Sequence, residues 1–162
     1  MDEEQPAQVC ARLIENMRSL QLSTVDTDGI PYCGYTPFLH QAPNNFYIFV
    51  SQLAAHTRHL LANPTVAIMI IADEQSTSQI FARTRVTYIC KAERLAPECP
   101  DYDSILDAYE LRHGKTAGML RQLSDFVLFQ LQPVSGQFVM GFGKAYTLTG
   151  ENLSVFEHAR TG

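Results

Sequence analysis

Residues Ser51–Pro64 read SQLAAHTRHLLANP and lie between two apolar runs, Phe46–Val50 and Val66–Ile71. Strand-length apolar runs on both sides of a short, more polar segment predict a strand, a helix and a second strand. Ser51 occupies the position of a helix N-cap, where a hydroxyl can satisfy a free backbone N–H. A helix start with a serine, His56 and an arginine beside it favours the binding of an anion.

Periodicity and turn signals extend this unit in both directions along the chain. Apolar residues at helical spacing predict an N-terminal helix at about 6–18, and Asp28–Gly29 marks a tight turn between two strands. The remaining expected elements are strands at about 20–26, 31–39, within 79–95, 126–131 and 137–148, with residues 133–136 joining the last two, and helices at 102–113 and 115–123. About seven strands, mostly joined as hairpins, predict a mainly β fold with inserted helices, arranged as an antiparallel barrel.

Length, composition and charge narrow the class of protein. A chain of 162 residues with 46% hydrophobic residues predicts one globular domain over 1–162, with the barrel at about 19–149 and a short C-terminal tail at 150–162. A net charge of -5 without a basic cluster argues against nucleic-acid binding. The longest apolar runs have strand length, which argues against a membrane span. The N-terminal MDEEQPAQV lacks an apolar signal core and predicts a cytoplasmic protein.

Two arginines form a second candidate for anion binding. Arg83 and Arg85 lie two residues apart in the predicted strand IFARTRVTY, so their side chains are expected on the same face. Like charges on one face repel unless an anion or acid lies between them, and arginine can bind phosphate or carboxylate bidentately. A solvated edge or pairing with acids is the alternative, but together with the Ser51 helix the anion site is favoured.

Histidines supply the remaining candidates. His158, in the ending VFEHARTG, is either an axial iron ligand or a terminal residue without a chemical role. Asp125 starts the strand DFVLFQL and either orients such a histidine or only begins the strand. His56 and His59 lie three apart on a helix without an obvious third metal ligand, which favours surface or capping roles, although His56 is placed to contribute to an anion site.

Several stretches, in order, resemble one superfamily. The hairpin LSTVDTDGIPYCGYTPF and the segment SQLAAHTRHLLANPTVAIMI are similar to the FMN-binding split barrels typified by pyridoxamine 5'-phosphate oxidase. Within that superfamily, AAHTRHLLANP, IFARTRVTY, DFVLFQL and FVMGFGKAYTLTG resemble the haem-utilisation proteins of the HugZ/HutZ type. The chain is therefore identified as a member of this haem-utilisation branch, and the resemblance implies a split-barrel homodimer with two equivalent cofactor sites at the subunit interface.

The resemblance leaves two cofactors open, haem and FMN. In the flavin-binding members the phosphate is held at places that match Ser51, His56 and Arg83 or Arg85, with His56 where those enzymes carry a lysine. In the haem-utilisation members a C-terminal histidine binds the iron, an aspartate supports it and a strand arginine lies at the haem site. His158, Asp125 and Arg85 are the corresponding residues here, and Arg83 is the alternative arginine for a propionate or distal ligand.

Three functions follow as expectations from the resemblance. The first is a haem-utilisation protein that binds haem at a dimer interface and supports its oxidative degradation with electrons from an unidentified donor. The second is an FMN-dependent oxidoreductase resembling pyridoxamine 5'-phosphate oxidase. The third is a non-enzymatic carrier of haem or flavin, since a fold alone does not fix an activity. Whether the protein is an enzyme is left open by the sequence.

Overall fold

A computed structural model of the chain describes residues 3–160, in which nine strands form one antiparallel sheet and helices cover its faces. The strands are β1 Ser19–Val25, β2 Pro31–Pro37, β3 Leu39–Gln41, β4 Asn45–Ser51, β5 Thr65–Ile71, β6 Arg85–Leu95, β7 Phe126–Gly141, β8 Lys144–Thr149 and β9 Val155–His158. The helices are α1 Pro6–Asn16, α2 Ala55–Ala62, α3 Tyr102–His113 and α4 Lys115–Leu120, with 3-10 turns at Ile80–Ala82 and Glu151–Leu153.

The order of strands in the sheet is β2-β1-β5-β6-β7-β4-β3, and β8 and β9 extend it beside β7. Side chains alternate between its faces, so Ile48 and its alternate neighbours along β4 enter the main core, where α1 also buries Leu13. Tyr47 and Phe49 point the other way and pack with Leu128 under α3 and α4. The predicted mainly β class with inserted helices is therefore confirmed.

The β1–β2 hairpin forms as predicted. The Asp26 carboxylate accepts hydrogen bonds from the backbone N–H groups of Asp28 (2.8 Å) and Ile30 (2.9 Å). Gly29 adopts a φ of 78°, a left-handed conformation that glycine reaches without a steric cost. These interactions are local in sequence, which is why the turn could be recognised without the structure.

The predicted connection between the last two strands is wrong. Residues 133–136 do not join two strands, because β7 runs unbroken through them to Gly141. Pro133, which has no N–H to donate, lies where the pairing of β6 with β7 shifts register, opposite Cys90. The predicted tail at 150–162 is also partly structured, because residues 155–158 form β9 and pair with β8.

No helix among the described residues is long and apolar enough to cross a membrane.

Candidate cofactor site

Ser51 and Asp125 form a hydrogen-bonded pair where β4 ends and β7 begins. The Ser51 hydroxyl donates to Asp125 Oδ2 at 2.9 Å and accepts from the backbone N–H of Leu53 at 3.1 Å. The Gln52 N–H also donates to the Asp125 carbonyl at 2.8 Å. Both residues are half-buried, so this pair is a fixed polar point at the sheet edge.

The prediction that Ser51 caps the helix is wrong. Helix α2 begins at Ala55, and its N-cap is Ala54, which makes no side-chain capping bond. A turn, closed by the Ala54 N–H donating to the Ser51 carbonyl at 3.1 Å, separates the serine from the helix. The hydroxyl is engaged by Asp125 and Leu53 instead of the first turn of α2.

His56 lies in the first turn of α2 and packs against β2. Its Nδ1 lies 3.0 Å from the place where a Cβ on Gly34 would be, so a larger residue there would require the ring to shift by a few tenths of an ångström. Burial, followed by the nearby charge of His59, lowers the pKa of His56. The imidazole is therefore neutral at pH 7 and provides no cation for an anion at this helix start.

Arg83 and Arg85 do not share a strand face as predicted. Ile80–Ala82 is a 3-10 turn, Arg83 follows it, and β6 begins only at Arg85. The Arg83 guanidinium donates to the Ala72 carbonyl and lies 3.5 Å from the exposed Glu74 carboxylate. Arg85 Nη1 donates to the Arg83 carbonyl at 2.9 Å. Both guanidinium groups are thus bonded to backbone carbonyls, and Arg83 also pairs with Glu74.

Within one chain these two groups lie at opposite ends of β7. Ser51 pairs with Phe126 at its first residue, whereas Arg85 pairs with Val139 near its last. We call Ser51, Asp125 and the start of α2 the Ser51 end, and Arg83, Arg85 and the neighbouring edge of β8 and β9 the Arg85 end. One chain therefore does not assemble the single anion site that the sequence suggests.

His158 belongs to the Arg85 end and not to the end that holds Asp125. It is the last residue of β9, opposite Tyr146, and the two ring centroids are 4.9 Å apart. Arg85, Val139 and Ala145 pair in a row across the sheet, and the Ala159 N–H donates to the Ala145 carbonyl at 2.8 Å. Three strand spacings of about 4.8 Å place the backbones of Arg85 and Ala159 roughly 14 Å apart.

Exposed apolar side chains accompany the polar groups at both ends. Leu53, two residues after Ser51, is 82% exposed, and Phe81, two residues before Arg83, is 83% exposed. Both side chains are available for contact with another molecule. A planar apolar ligand with anionic groups fits these residues, because they offer apolar contact, arginines and an exposed imidazole.

A buried hydroxyl in α2 could not be recognised from the sequence. Thr57 is fully buried, and its Oγ1 has no hydrogen-bond partner among residues 3–160.

Arg58 is the arginine at the helix start that was expected to take part in the anion site. Its Nη1 donates a hydrogen bond to the Leu53 carbonyl at 2.9 Å. Within residues 3–160 no cluster of three or more His, Cys, Asp or Glu is arranged to hold a metal ion.

The chain matches the family profile described as pyridoxamine 5'-phosphate oxidase over residues 7–140. It is 38% identical to the heme oxygenase HutZ of Vibrio cholerae over 148 aligned residues. The aligned region covers 91% of this chain and 84% of HutZ.

Two crystal structures share its fold. HutZ of Vibrio cholerae, described there as a heme storage protein, superposes with a TM-score of 0.75 at 33% identity, over 80% of this chain and 91% of HutZ. Campylobacter jejuni ChuZ superposes with a TM-score of 0.84 at 27% identity, over 97% of this chain and 64% of ChuZ.

Proposed function

The chain belongs to the pyridoxamine 5'-phosphate oxidase family of split barrels, in the branch of HutZ and ChuZ, and on that basis we propose that it binds haem for haem utilisation. The observation that carries the proposal is the 38% identity to the heme oxygenase HutZ across 91% of the chain. The family and the split-barrel fold predicted from the sequence are thereby confirmed.

We propose that the haem site forms between two copies of the chain. The Ser51 end and the Arg85 end lie at opposite ends of β7, so a single chain offers two half-sites. In a two-fold dimer the Ser51 end of each copy can lie against the Arg85 end of the other. Because a two-fold contact occurs twice, the dimer then has two complete haem sites. The exposed Leu53 and Phe81 support this assembly, since each marks one half-site.

In this proposal each residue has a distinct task. When bound, haem supplies an iron centre that can react with oxygen. His158 would hold the iron, and Asp125 of the partner subunit would accept a hydrogen bond from the ring and so orient it. Arg85 or Arg83 would bind an anionic group of the haem or of a ligand on its iron, and Arg85 is itself positioned by its 2.9 Å hydrogen bond to the Arg83 carbonyl. Ser51 keeps Asp125 in place through their 2.9 Å hydrogen bond.

Haem degradation and haem storage are both compatible with these residues. The relative HutZ is described once as an oxygenase and once as a storage protein. A multiple-turnover assay with haem, oxygen and a chemical reductant separates the two roles. Loss of the haem absorption band over several equivalents indicates an enzyme that needs an electron donor in the cell. A stable band under the same conditions indicates a carrier.

Haem binding is tested by titrating haem into the purified protein and following its absorption band. We expect saturable binding, and we expect His158→Ala to lose the ligand-specific band because it removes the imidazole. Glu157→Gln, on the same exposed strand, is the matched control and should bind as the unchanged protein does. An unaltered spectrum in His158→Ala would remove His158 from the site.

FMN is the second candidate cofactor, and the match to the pyridoxamine 5'-phosphate oxidase profile over residues 7–140 favours it. Ser51, His56, Arg83 and Arg85 would hold its phosphate. The local chemistry at the helix start is unfavourable, because the pKa of His56 is lowered by burial and Arg58 is bound to a carbonyl. A flavin titration followed by fluorescence should show no binding at micromolar FMN. Tight binding would make FMN, and not haem, the favoured cofactor.

A further inference from the structure

A separate cavity of about 470 Å³ opens where the α1–β1 connection, β2, α3 and α4 meet. Its volume lies in the range of small-molecule sites. None of Ser51, Arg85, Asp125 and His158 lines it, so it is not explained by the haem site. Eight of its twelve lining residues are polar or charged, and they come from distant parts of the sequence.

Tyr109 of α3 is the buried polar group of this cavity. The residue is 3% exposed, and among residues 3–160 no hydrogen bond holds its hydroxyl. Burial, followed by the nearby Tyr35 phenol, raises the pKa of Tyr109 to about 12, so the hydroxyl keeps its proton. Tyr109 lines the cavity, so its hydroxyl can donate a hydrogen bond to water or to a ligand there.

His113, one turn further along α3, offers the complementary acceptor. Its Nε2 lies 2.8 Å from the Phe38 carbonyl, and because a carbonyl only accepts, Nε2 carries the hydrogen. Burial lowers the pKa of His113, so the ring is neutral and its Nδ1 has a free lone pair. The rings of Tyr109 and His113 lie with their centroids 4.6 Å apart, which brings a donor and an acceptor together.

The rim of the cavity carries charge of both signs. Arg18 and Asp73 both line it, and within the described part of the chain neither side chain takes part in an ion pair. The charge of Arg18 also reaches His113, where it contributes to lowering the pKa of the imidazole. An arginine without an acid partner at the mouth of a cavity favours a ligand with a carboxylate.

We propose that this cavity binds a planar aromatic acid of about two or three rings. The carboxylate lies at Arg18, the rings pack between Met17, Pro37 and Leu120, and the inner polar edge meets Tyr109 and His113. Asp73 opposes a simple anion, which makes the site more favourable for an acid that also carries a hydrogen-bond donor. Asp73 directly follows Ala72, whose carbonyl accepts a hydrogen bond from Arg83, so haem titrations are needed to show that the two sites are separate.

The test uses 2-naphthoate, a two-ring aromatic carboxylate, titrated into the full-length haem-free protein and followed by backbone NMR. We expect saturable shifts confined to the residues around the cavity. Arg18→Gln should weaken binding about fivefold because it removes the attractive rim charge, and Asp73→Asn should strengthen it about twofold. Ala117→Leu, which fills the cavity, should abolish binding. Arg94→Gln makes the same charge change on β6, away from the cavity, and should leave the affinity unchanged.

Haem titrations of the same variants separate this site from the haem site. We expect Arg18→Gln and Ala117→Leu to bind haem as the unchanged protein does, which also shows that they fold. Shifts spread over the whole surface, or equal weakening by Arg18→Gln and Arg94→Gln, would overturn the proposal. Loss of haem binding in a folded Arg18→Gln protein would also overturn it, because the cavity would then be part of the haem site.

Discussion

At the Ser51 end of β7 the polar side chains bind each other, whereas at the Arg85 end they bind backbone carbonyls. The Ser51 hydroxyl donates to the Asp125 carboxylate at 2.9 Å. Arg85 instead donates to the Arg83 carbonyl at 2.9 Å. At the first end the Asp125 carboxylate makes no ion pair among residues 3–160, and Arg58 donates to the Leu53 carbonyl. At the second end the acid that pairs with Arg83, Glu74, is 70% exposed.

The two ends also differ in how firmly they are held. Ser51 and Asp125 are tied by side-chain and backbone hydrogen bonds at the edge of the β4–β7 ladder. The ion pair of Arg83 with Glu74 has an N–O distance of 3.5 Å and an exposed carboxylate, so it contributes little to stability. The Ser51 end is therefore held by a network of hydrogen bonds, whereas the Arg83–Glu74 ion pair adds little at the Arg85 end.

The largest expected effect tests whether the two ends meet across an interface. Arg85→Ala and Asp125→Ala should each weaken haem binding about tenfold or more, because charge-assisted hydrogen bonds are lost. A heterodimer of the two variants, isolated with two different tags, should regain about half of the sites, since one of its two sites carries neither change. Haem stoichiometry at limiting haem concentration measures this recovery.

The control is a heterodimer of Arg85→Ala with an Arg85→Ala copy carrying the second tag, which should regain no sites. If the mixed heterodimer also stays without tight sites, both residues act from the same chain. The proposed arrangement of one copy's Ser51 end against the other's Arg85 end would then be wrong.

A second change strains the strand that connects the two ends. A Cβ on Gly136 of β7 would lie 2.8 and 2.9 Å from ring atoms of Tyr88, which is buried at 3% exposure. Because that ring has little room to move, Gly136→Ala should cost about 1–3 kcal/mol of unfolding free energy. Gly141→Ala on the same strand meets only Lys144 at 3.6 Å and should change stability by less than about 0.5 kcal/mol. Urea unfolding measures both, and equal stabilities would contradict the packing described.

A smaller effect concerns the fixed end alone. Ser51→Ala removes a hydroxyl that is hydrogen-bonded to both Asp125 and the Leu53 N–H. The substitution should lower the free energy of unfolding by about 1–2 kcal/mol. Ser124→Ala changes an exposed neighbouring serine and should have almost no effect. Thermal or urea unfolding of the two variants tests the assignment, which fails if the two serines prove equivalent.

The smallest expected effect is a pH dependence of stability at the Ser51 end. Burial holds the pKa of His56 below its ordinary value, so below about pH 6.5 the unfolded chain binds a proton that the folded ring resists. The free energy of unfolding should therefore fall as the pH drops below about 6.5 and be insensitive to this group above it. His56→Gln should remove part of that fall between pH 7.5 and 5.5, measured by urea unfolding.

His158→Gln, on the exposed edge strand, is the matched control for the pH measurement. His40 and His113 also have lowered pKa values through burial, so some acid sensitivity should remain in His56→Gln. An identical pH dependence in His56→Gln and the unchanged protein would show that the ring of His56 is not buried as described.

Elements fixed by neighbouring residues could be predicted from the sequence. The Asp28–Gly29 turn, the strand–helix–strand order around α2 and the family all follow from short stretches. The start of α2 could not be predicted, because the hydroxyl of Ser51 is taken by Asp125, 74 positions away. The same holds for Arg83, which leaves the strand because a 3-10 turn, with the Gln79 side chain accepting from the Phe81 N–H, precedes it.

The candidate residues were easier to find than their arrangement. Asp125 and Arg85 could be named from local stretches, but their separation depends on β7 continuing past Pro133, where a bulge accommodates the proline. The cavity beneath Tyr109 gave no signal at all, because Arg18, Tyr35 and His113 come from separate elements. Roles of the site residues toward haem remain predictions.

Strand β9 gives the position of His158 a thermodynamic meaning. Its four residues pair with β8, and the imidazole rests against Tyr146. If the ring reaches iron only when β9 is unpaired from β8, the apparent affinity for haem equals the intrinsic affinity multiplied by the fraction of molecules in which β9 is unpaired. A substitution that weakens or strengthens the pairing of β9 with β8 would then change the apparent affinity for haem without altering any group that touches haem.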